Sequence, residues 1–168
     1  MNPERLRQLL DYNKDTGVFK WKVSRRVRAG TIAGVIDAID GYRRIKVDGK
    51  SYKAHRLAFL YVTGAFPQDQ VDHINMIRDD NRWKNLRAAS RSENLRNCGP
   101  RRSNKCGYKG VSAHGNGKWQ ADISVNQRSI YLGVFSTPEE AHAAYIRAAS
   151  KHHKEFARSS CADAPGGN

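Results

Sequence analysis

Between Val71 and Asn97 the chain has room for two short strands and one helix, and little else. In VDHINMIRDDNRWKNLRAASRSENLRN, Val71-Asp72 and Leu86-Arg87 are long enough to pair only as short strands around an irregular loop. Ser90-x-x-Glu93 then matches a capping box, so a helix is expected to begin at Ser90, with Asn94 one turn into it. The segment therefore folds as strand, loop, strand, helix. It also gathers an acid (Asp72), an imidazole (His73) and two carboxamides (Asn85 and Asn94). Those are the parts needed to hold a hard divalent cation against a phosphodiester and to deprotonate a water beside it.

Each residue type has a stated use in that chemistry. Asp72 offers a carboxylate and Asn94 a carboxamide oxygen, both suited to Mg²⁺, which prefers oxygen ligands and keeps several waters. His73 follows Asp72 on an extended segment, so the two side chains point to opposite faces. Asp72 is then expected to face the metal and His73 the attacking water, whose proton a neutral imidazole can accept. Asn85 reads as an orienter that ties the loop to the second strand and fixes the imidazole. Asp79-Asp80-Asn81 reads either as a further ligand set or as the solvated turn between the strands, and the turn is the better reading. His55 competes as a functional histidine, though its place at the start of a helix suits packing or capping equally well.

Charge points to the substrate. Thirty Lys+Arg against sixteen Asp+Glu give a net charge of +14, the footprint of a polyanion binder. The basic residues are spread through segments that look folded rather than set along one amphipathic helix, which favours nucleic acid over an anionic membrane. No apolar run approaches the ~20 residues that span a bilayer. The N-terminal MNPERLRQLLDYNKD has no signal-peptide block, and Cys98, Cys106 and Cys161 form no CxxC pair. A reducing cytoplasm is the expected compartment, with no disulfide scaffold and no structural zinc.

Upstream of the motif, residues 2–12 are expected as a helix and Val18–Trp21 as a strand. A basic Gly-containing loop follows from Ser24 to Gly34. Tyr42–Val47 and Ser51–Ala54 form a hairpin across Asp48-Gly49, and His55–Thr63 a helix that stops at Gly64. From Cys98 to Lys105 the chain turns to Gly, Pro, Ser and basic residues without apolar periodicity, the signature of a linker. Beyond it, Tyr108–Ala113, Lys118–Val125 and Arg128–Phe135 read as three strands. Thr137-Pro138-Glu139-Glu140 opens a helix whose small apolar face is Ala141, Ala144, Tyr145, Ala148 and Ala149. Trp119, Ala121, Ile123 and Val125 should meet that helix, leaving Lys118, Gln120, Asp122 and Ser124 on the other face. The expected organisation is a domain over 1–97, a basic linker over 98–106, a second domain over 107–158 and a disordered tail over 159–168.

The joint spacing HRLAF…VDHIN…DNRWKNLR…SRSENLRN resembles the HNH homing-type endonucleases of the ββα-metal superfamily, in the subgroup with Asn for the third His. The stretch before it, Leu9-Leu10-Asp11-Tyr12 through Gly17-Val18-Phe19-Lys20-Trp21, is similar to phage and prophage members. That resemblance implies Asp72 and Asn94 as metal ligands, His73 as general base and Asn85 as loop support. It implies a single Mg²⁺ or Mn²⁺ and hydrolysis to 5′-phosphate and 3′-hydroxyl ends. Met76 stands where such proteins often have Gly. Residues 107–149 resemble the Apetala or ethylene-response-factor DNA-binding domain. From that second resemblance Lys109, His114, Asn116, Lys118 and Tyr131 are candidate groove contacts, joined by Arg101 and Arg102 of the linker.

The expected fold class is α+β: a ββα-metal nuclease unit followed by a three-stranded antiparallel sheet packed on one helix. The expected function is a metal-dependent DNA endonuclease of phage or mobile-element type, acting on double-stranded DNA. No membrane and no nucleotide cofactor are expected, and the expected location is the host cytoplasm or nucleoid. The runner-up is a non-cleaving DNA-binding regulator with a decayed nuclease unit. An RNA-binding module fits less well, because the exposed aromatic stacking pattern of such modules is missing.

Overall fold

The computed structural model describes residues 1–22, 28–100 and 103–153. Arg101, Arg102, Cys161 and the expected tail lie outside the described residues, as does part of the Ser24–Gly34 loop. The chain is α+β and divides into two units, Met1–Asn94 and Leu95–Asn168.

In the first unit, α1 (Pro3–Leu9) starts at Asn2, whose side chain accepts from the Arg5 amide at 2.9 Å. The sequence suggested a longer helix, to residue 12. Instead β1 (Leu10–Tyr12) pairs antiparallel with β2 (Phe19–Trp21), with Leu10 opposite Trp21 and Tyr12 opposite Phe19. Alternation explains the difference: Leu10 and Tyr12 both turn inward as strand residues, and the ladder satisfies backbone groups that a frayed last turn would leave open. A second sheet runs in the order β3 (Val35–Ile36), β4 (Arg43–Val47), β5 (Lys50–Lys53). The β4–β5 hairpin turns at Asp48-Gly49, both with positive φ, as a two-residue turn requires. β3 is too short and too exposed to leave a sequence signal.

The helix α2 (Ala54–Thr63) ends on a left-handed Gly64 at φ 80. Its buried Leu57 and Leu60 join Leu6, Leu10, Phe19, Ile45, Val71 and Leu86 in one core. The last two belong to β6 (Gln70–His73) and β7 (Leu86–Ala89), an antiparallel pair in which Asp72 faces Arg87 and His73 faces Leu86. Between them runs a loop that closes with a 3-10 turn at Trp83–Asn85. α3 (Arg91–Asn97) follows, and its capping box is reciprocal. Ser90 N donates to Glu93 Oε2 at 2.8 Å, and Glu93 N donates to Ser90 Oγ at 3.3 Å.

In the second unit β8 (Val111–Ala113), β9 (Trp119–Val125) and β10 (Arg128–Phe135) form an antiparallel sheet in the order β10-β9-β8. The β9–β10 hairpin turns at Asn126-Gln127, both with positive φ. Helix α4 (Pro138–His153) lies against one face of this sheet. Val111 and Ala121 are buried with Ala141, and Ile123 with Tyr145 and Ala149; Trp119 and Val125 pack at the margins. The small alanine face permits close approach, and Gly110 shows how close: a Cβ there would collide with the Tyr145 ring. Among the described residues no helix is long and apolar enough to cross a membrane.

Candidate active site

Strand alternation separates the two catalytic candidates. Gln70 and Asp72 share one face of β6, and Val71 and His73 the other. On the first face, Asp72 is 3% exposed and accepts from Arg87 directly across the ladder, with Arg87 Nη2 at 2.7 Å and Nε at 2.8 Å. Asn94, in the first turns of α3, donates through Nδ2 to Gln70 Oε1 at 2.6 Å. That bond engages its NH₂ end, and the carboxamide oxygen is the accepting end of the group. A carboxylate and an amide oxygen are hard donors, and they fit a divalent cation that keeps most of its waters. Among the described residues no group of three or more His, Cys, Asp or Glu is gathered to hold a metal.

His73 lies differently from the expectation that it looks out on an attacking water. Its residue is 4% exposed and turned inward. Its ring centroid is 5.0 Å from that of His55 and 5.8 Å from that of Tyr42, and its Nε2 is 3.4 Å from Asn81 Oδ1. The reason is the neighbour two residues back. Val71 belongs to the hydrophobic core, as does Leu86 opposite His73, so the face that His73 shares is the core-facing one. Burial holds the His73 pKa below the ordinary histidine value, while the Asn81 contact and the carboxylates of Asp72, Asp80 and Asp79 oppose that shift. The imidazole is therefore neutral at physiological pH, the form a proton acceptor requires. His55 is buried too, with its pKa pushed down to about 3 by desolvation first and by His73, Lys53 and Arg56 after it. Its Nδ1 is buried without a hydrogen-bond partner among the described residues.

Asn85 sits at the end of the 3-10 turn and knits the loop. Its Oδ1 accepts from Asn75 N at 3.0 Å, and its Nδ2 donates to Asn75 Oδ1 at 2.9 Å and to Asp80 O at 2.8 Å. Its backbone carbonyl accepts from Ile74 N at 2.9 Å. The residue after Asn75, Met76, has φ 63, a left-handed position that glycine occupies without strain. The Asp79-Asp80-Asn81 run, read from sequence as a solvated turn, is not solvated throughout. Asp79 pairs with Arg43 at 2.9 Å and Asp80 with Arg82, but Asn81 is 2% exposed. Sequence gave no local signal for it, because its burial is made by Tyr12 and Gly17, far away along the chain. Tyr12 Oη donates to Asn81 O at 2.6 Å, and a Cβ on Gly17 would collide with the Asn81–Arg82 peptide.

In the second unit Tyr131, 61% exposed, lies on the sheet face away from α4, and His114, Asn116 and Lys118 are exposed in the turn between β8 and β9. Gln120 and Asp122 are joined by a Gln120 Nε2 to Asp122 Oδ2 bond of 2.8 Å. Lys109 does not join that open surface. Its Nζ donates to the carbonyls of Leu95, Arg96 and Cys98 at 3.0, 2.6 and 2.6 Å, so it tidies carbonyl groups at a helix end, as a cation near a C-terminus does.

Comparison with known proteins agrees with the first unit. Residues 52–96 match the HNH endonuclease family model, a stretch that contains Asp72, His73, Asn85 and Asn94. A solved structure of the HNH homing endonuclease I-HmuI, described for DNA binding and cleavage, aligns over 90% of this chain and 88% of its own. The TM-score is 0.43 and the identity 19%, a likeness too loose to locate any side chain. Two Arabidopsis thaliana proteins are also similar. Dehydration-responsive element-binding protein 2D is 35% identical over 80 residues, 46% of this chain and 39% of that protein. The AP2/ERF and B3 domain-containing transcription factor At1g51120 is 44% identical over 52 residues, 31% of this chain and 15% of that protein. The chain spans well under half the length of these curated relatives.

Proposed function

We propose that the protein is a metal-dependent DNA endonuclease of homing type, from a phage or mobile element, whose HNH unit cuts and whose C-terminal sheet binds double-stranded DNA. The observation that supports the reading is the bond from Asn94 to Gln70, two residues before Asp72 on β6, inside the segment that matches the HNH family.

Asp72 and Asn94 would hold the ion, Mg²⁺ or Mn²⁺. When bound, it would supply charge stabilisation for the phosphate and the departing oxygen. HNH nucleases generally use a divalent metal. His73 is the proposed proton acceptor for the attacking water. Asn85 holds that loop in shape through Asn75 and Asp80. Arg87 pairs with the Asp72 carboxylate across the ladder. In the second unit His114, Asn116, Lys118 and Tyr131 are the proposed groove contacts, with Arg101 and Arg102 as proposed linker contacts. Tethering raises the local concentration of the cutting unit at sites the sheet selects.

One specific observation favours the second reading, a DNA-binding regulator with an idle nuclease unit: the inward turn of His73. Incubation with plasmid in Mg²⁺ or in EDTA separates the two. Metal-dependent nicking or linearisation is expected; intact plasmid in Mg²⁺ with retained DNA binding means the regulator. A His73→Ala protein should still shift DNA in a gel while cutting about 10²–10⁴-fold more slowly, the usual worth of a general base.

A further inference from the structure

We infer that Ile39 is an apolar wedge for the substrate duplex: held at the tip of a braced turn, it presses into a base step and unstacks it. The inference rests on the reading of the protein as acting on double-stranded DNA, and it adds a contact that deforms that DNA.

An isoleucine at the surface is ordinary when it stands alone. Ile39 is 96% exposed, so its side chain touches almost nothing of its own protein, and it has company. Ile36, opposite Arg43 in the ladder, is 52% exposed, and Ile77 is 60% exposed. The turn that carries Ile39 and the loop that carries Ile77 are stitched together. Arg78 Nη1 donates to Asp40 O at 2.8 Å, and Arg43 pairs with Asp79 at 2.9 Å.

A wedge works only if its mount does not give way against the bases. Asp37 closes the turn: its backbone nitrogen donates to Tyr42 O at 3.0 Å, and its backbone oxygen accepts from Gly41 N at 2.7 Å. Its Oδ1 also accepts from Ile39 N at 2.9 Å. Arg44 then pairs with the carboxylates of Asp37 and Asp40, each at 2.7 Å. The isoleucine therefore rides on backbone that is already ordered, which leaves little entropy to lose on contact.

Charge and position point to DNA as what covers this surface. The chain carries a net +14. The carboxylates of the two loops at this place, Asp37, Asp40 and Asp79, are held by Arg44 and Arg43. Arg78 instead bonds a neutral carbonyl, and no carboxylate pairs with it among the described residues, so its charge is left for a phosphate. The turn runs into Tyr42, whose ring centroid is 5.8 Å from that of His73 and 5.3 Å from Arg78 Cζ. A duplex at the candidate site would meet it there. Apolar side chains beside cations are the means by which DNA-bending proteins part a base step.

The test uses the full chain in EDTA, which withholds the metal that cutting is proposed to need. Closed circular plasmid is relaxed by a metal-independent topoisomerase with the protein bound, then stripped of protein and resolved by linking number. Unstacking unwinds the duplex, so the wild type should leave a lowered linking number. Ile39→Ala should bind about 3- to 30-fold more weakly, as the loss of three carbons from a buried contact implies. At saturation it should give about half the linking-number change or less. The dependence of its affinity on salt should match the wild type, because an apolar contact releases no counterion. Its melting temperature should stay where it is, since the side chain packs against nothing. Wild type that binds without unwinding, or Ile39→Ala that unwinds as well as wild type, overturns the wedge and leaves the DNA reading intact. Wild type that binds no plasmid overturns both. Sedimentation without DNA checks the other occupant: a wild-type dimer that Ile39→Asp returns to monomer would assign the surface to a second copy of the chain and overturn the inference.

Discussion

Asp72 and Arg87 face each other across the β6–β7 ladder, and the guanidinium approaches the carboxylate with both Nη2 and Nε. The side chains are only 4% and 15% exposed, so this is a buried ion pair on the proposed metal ligand. Removing one partner from such a pair typically costs about 3–5 kcal/mol, because the remaining charge stays in a poor solvent. Arg87→Ala should therefore lower the urea midpoint markedly in EDTA. Mg²⁺ should recover more of that loss than it adds to the wild type, since a carboxylate stripped of its guanidinium holds a cation better and ligand binding stabilises by mass action. Equal Mg²⁺ effects on both proteins would mean the ion does not sit on Asp72.

Two buried histidines predict acid sensitivity that begins near neutrality. His55 has its pKa pushed down to about 3, chiefly by burial, and burial lowers that of His73 as well. Both bind a proton more readily in the unfolded chain, whose histidines titrate near about 6.5. The unfolded state therefore carries more protons below that pH, and stability falls as the pH drops from there toward the folded-state value. Stability measured by urea unfolding from pH 8 to pH 4 should decline before the carboxylates begin to titrate. His55→Phe should flatten the upper part of that decline. A profile level down to pH 5 would contradict the buried, neutral pair.

Met76 offers a gain instead of a loss. A left-handed backbone costs a non-glycine residue about 1–2 kcal/mol, whereas glycine adopts it freely but gives up more entropy on folding, roughly 0.5–1 kcal/mol. At φ 63, Met76→Gly should raise thermal stability modestly and leave plasmid cleavage in place, because the side chain is not among the residues that hold Asp72, His73 or Asn85. A lower melting temperature would mean that the methionine side chain contributes packing worth more than the strain.

What the sequence revealed and what it hid divide along one line, the range of the interaction. Ser90 with Glu93, Asp48 with Gly49, and Asn126 with Gln127 are local devices, and each appears where the pattern put it. Alternation likewise told that Asp72 and His73 point opposite ways. It could not tell which side was core, because that depends on Val71 and Leu86 joining residues as distant as Leu6. Asn81 looked like one more polar residue in an Asp-Asp-Asn turn; only Tyr12 and Gly17, closing on it from the N-terminal strands, make it interior. Lys109 read as a groove contact for the same reason, since the carbonyls that occupy it lie more than ten residues upstream.

The second unit therefore contains two lysines that should behave differently on DNA. Lys118 is exposed in the turn between β8 and β9. Lys109 has its ammonium group in contact with three backbone carbonyls. Each phosphate contact contributes roughly one unit to the dependence of log affinity on log salt, because binding there releases a counterion. Lys118→Ala should weaken DNA binding across all sequences and flatten the salt dependence by about one unit. Lys109→Met should leave the salt slope as it is and instead destabilise the protein by about 1–2 kcal/mol, the loss expected when charge-assisted hydrogen bonds to partly buried carbonyls disappear. Fluorescence anisotropy with a labelled duplex across a salt series, alongside thermal unfolding of each variant, measures both quantities. A Lys109→Met protein of wild-type stability with a flatter salt slope would return that lysine to the DNA surface and remove the helix-end role assigned to it.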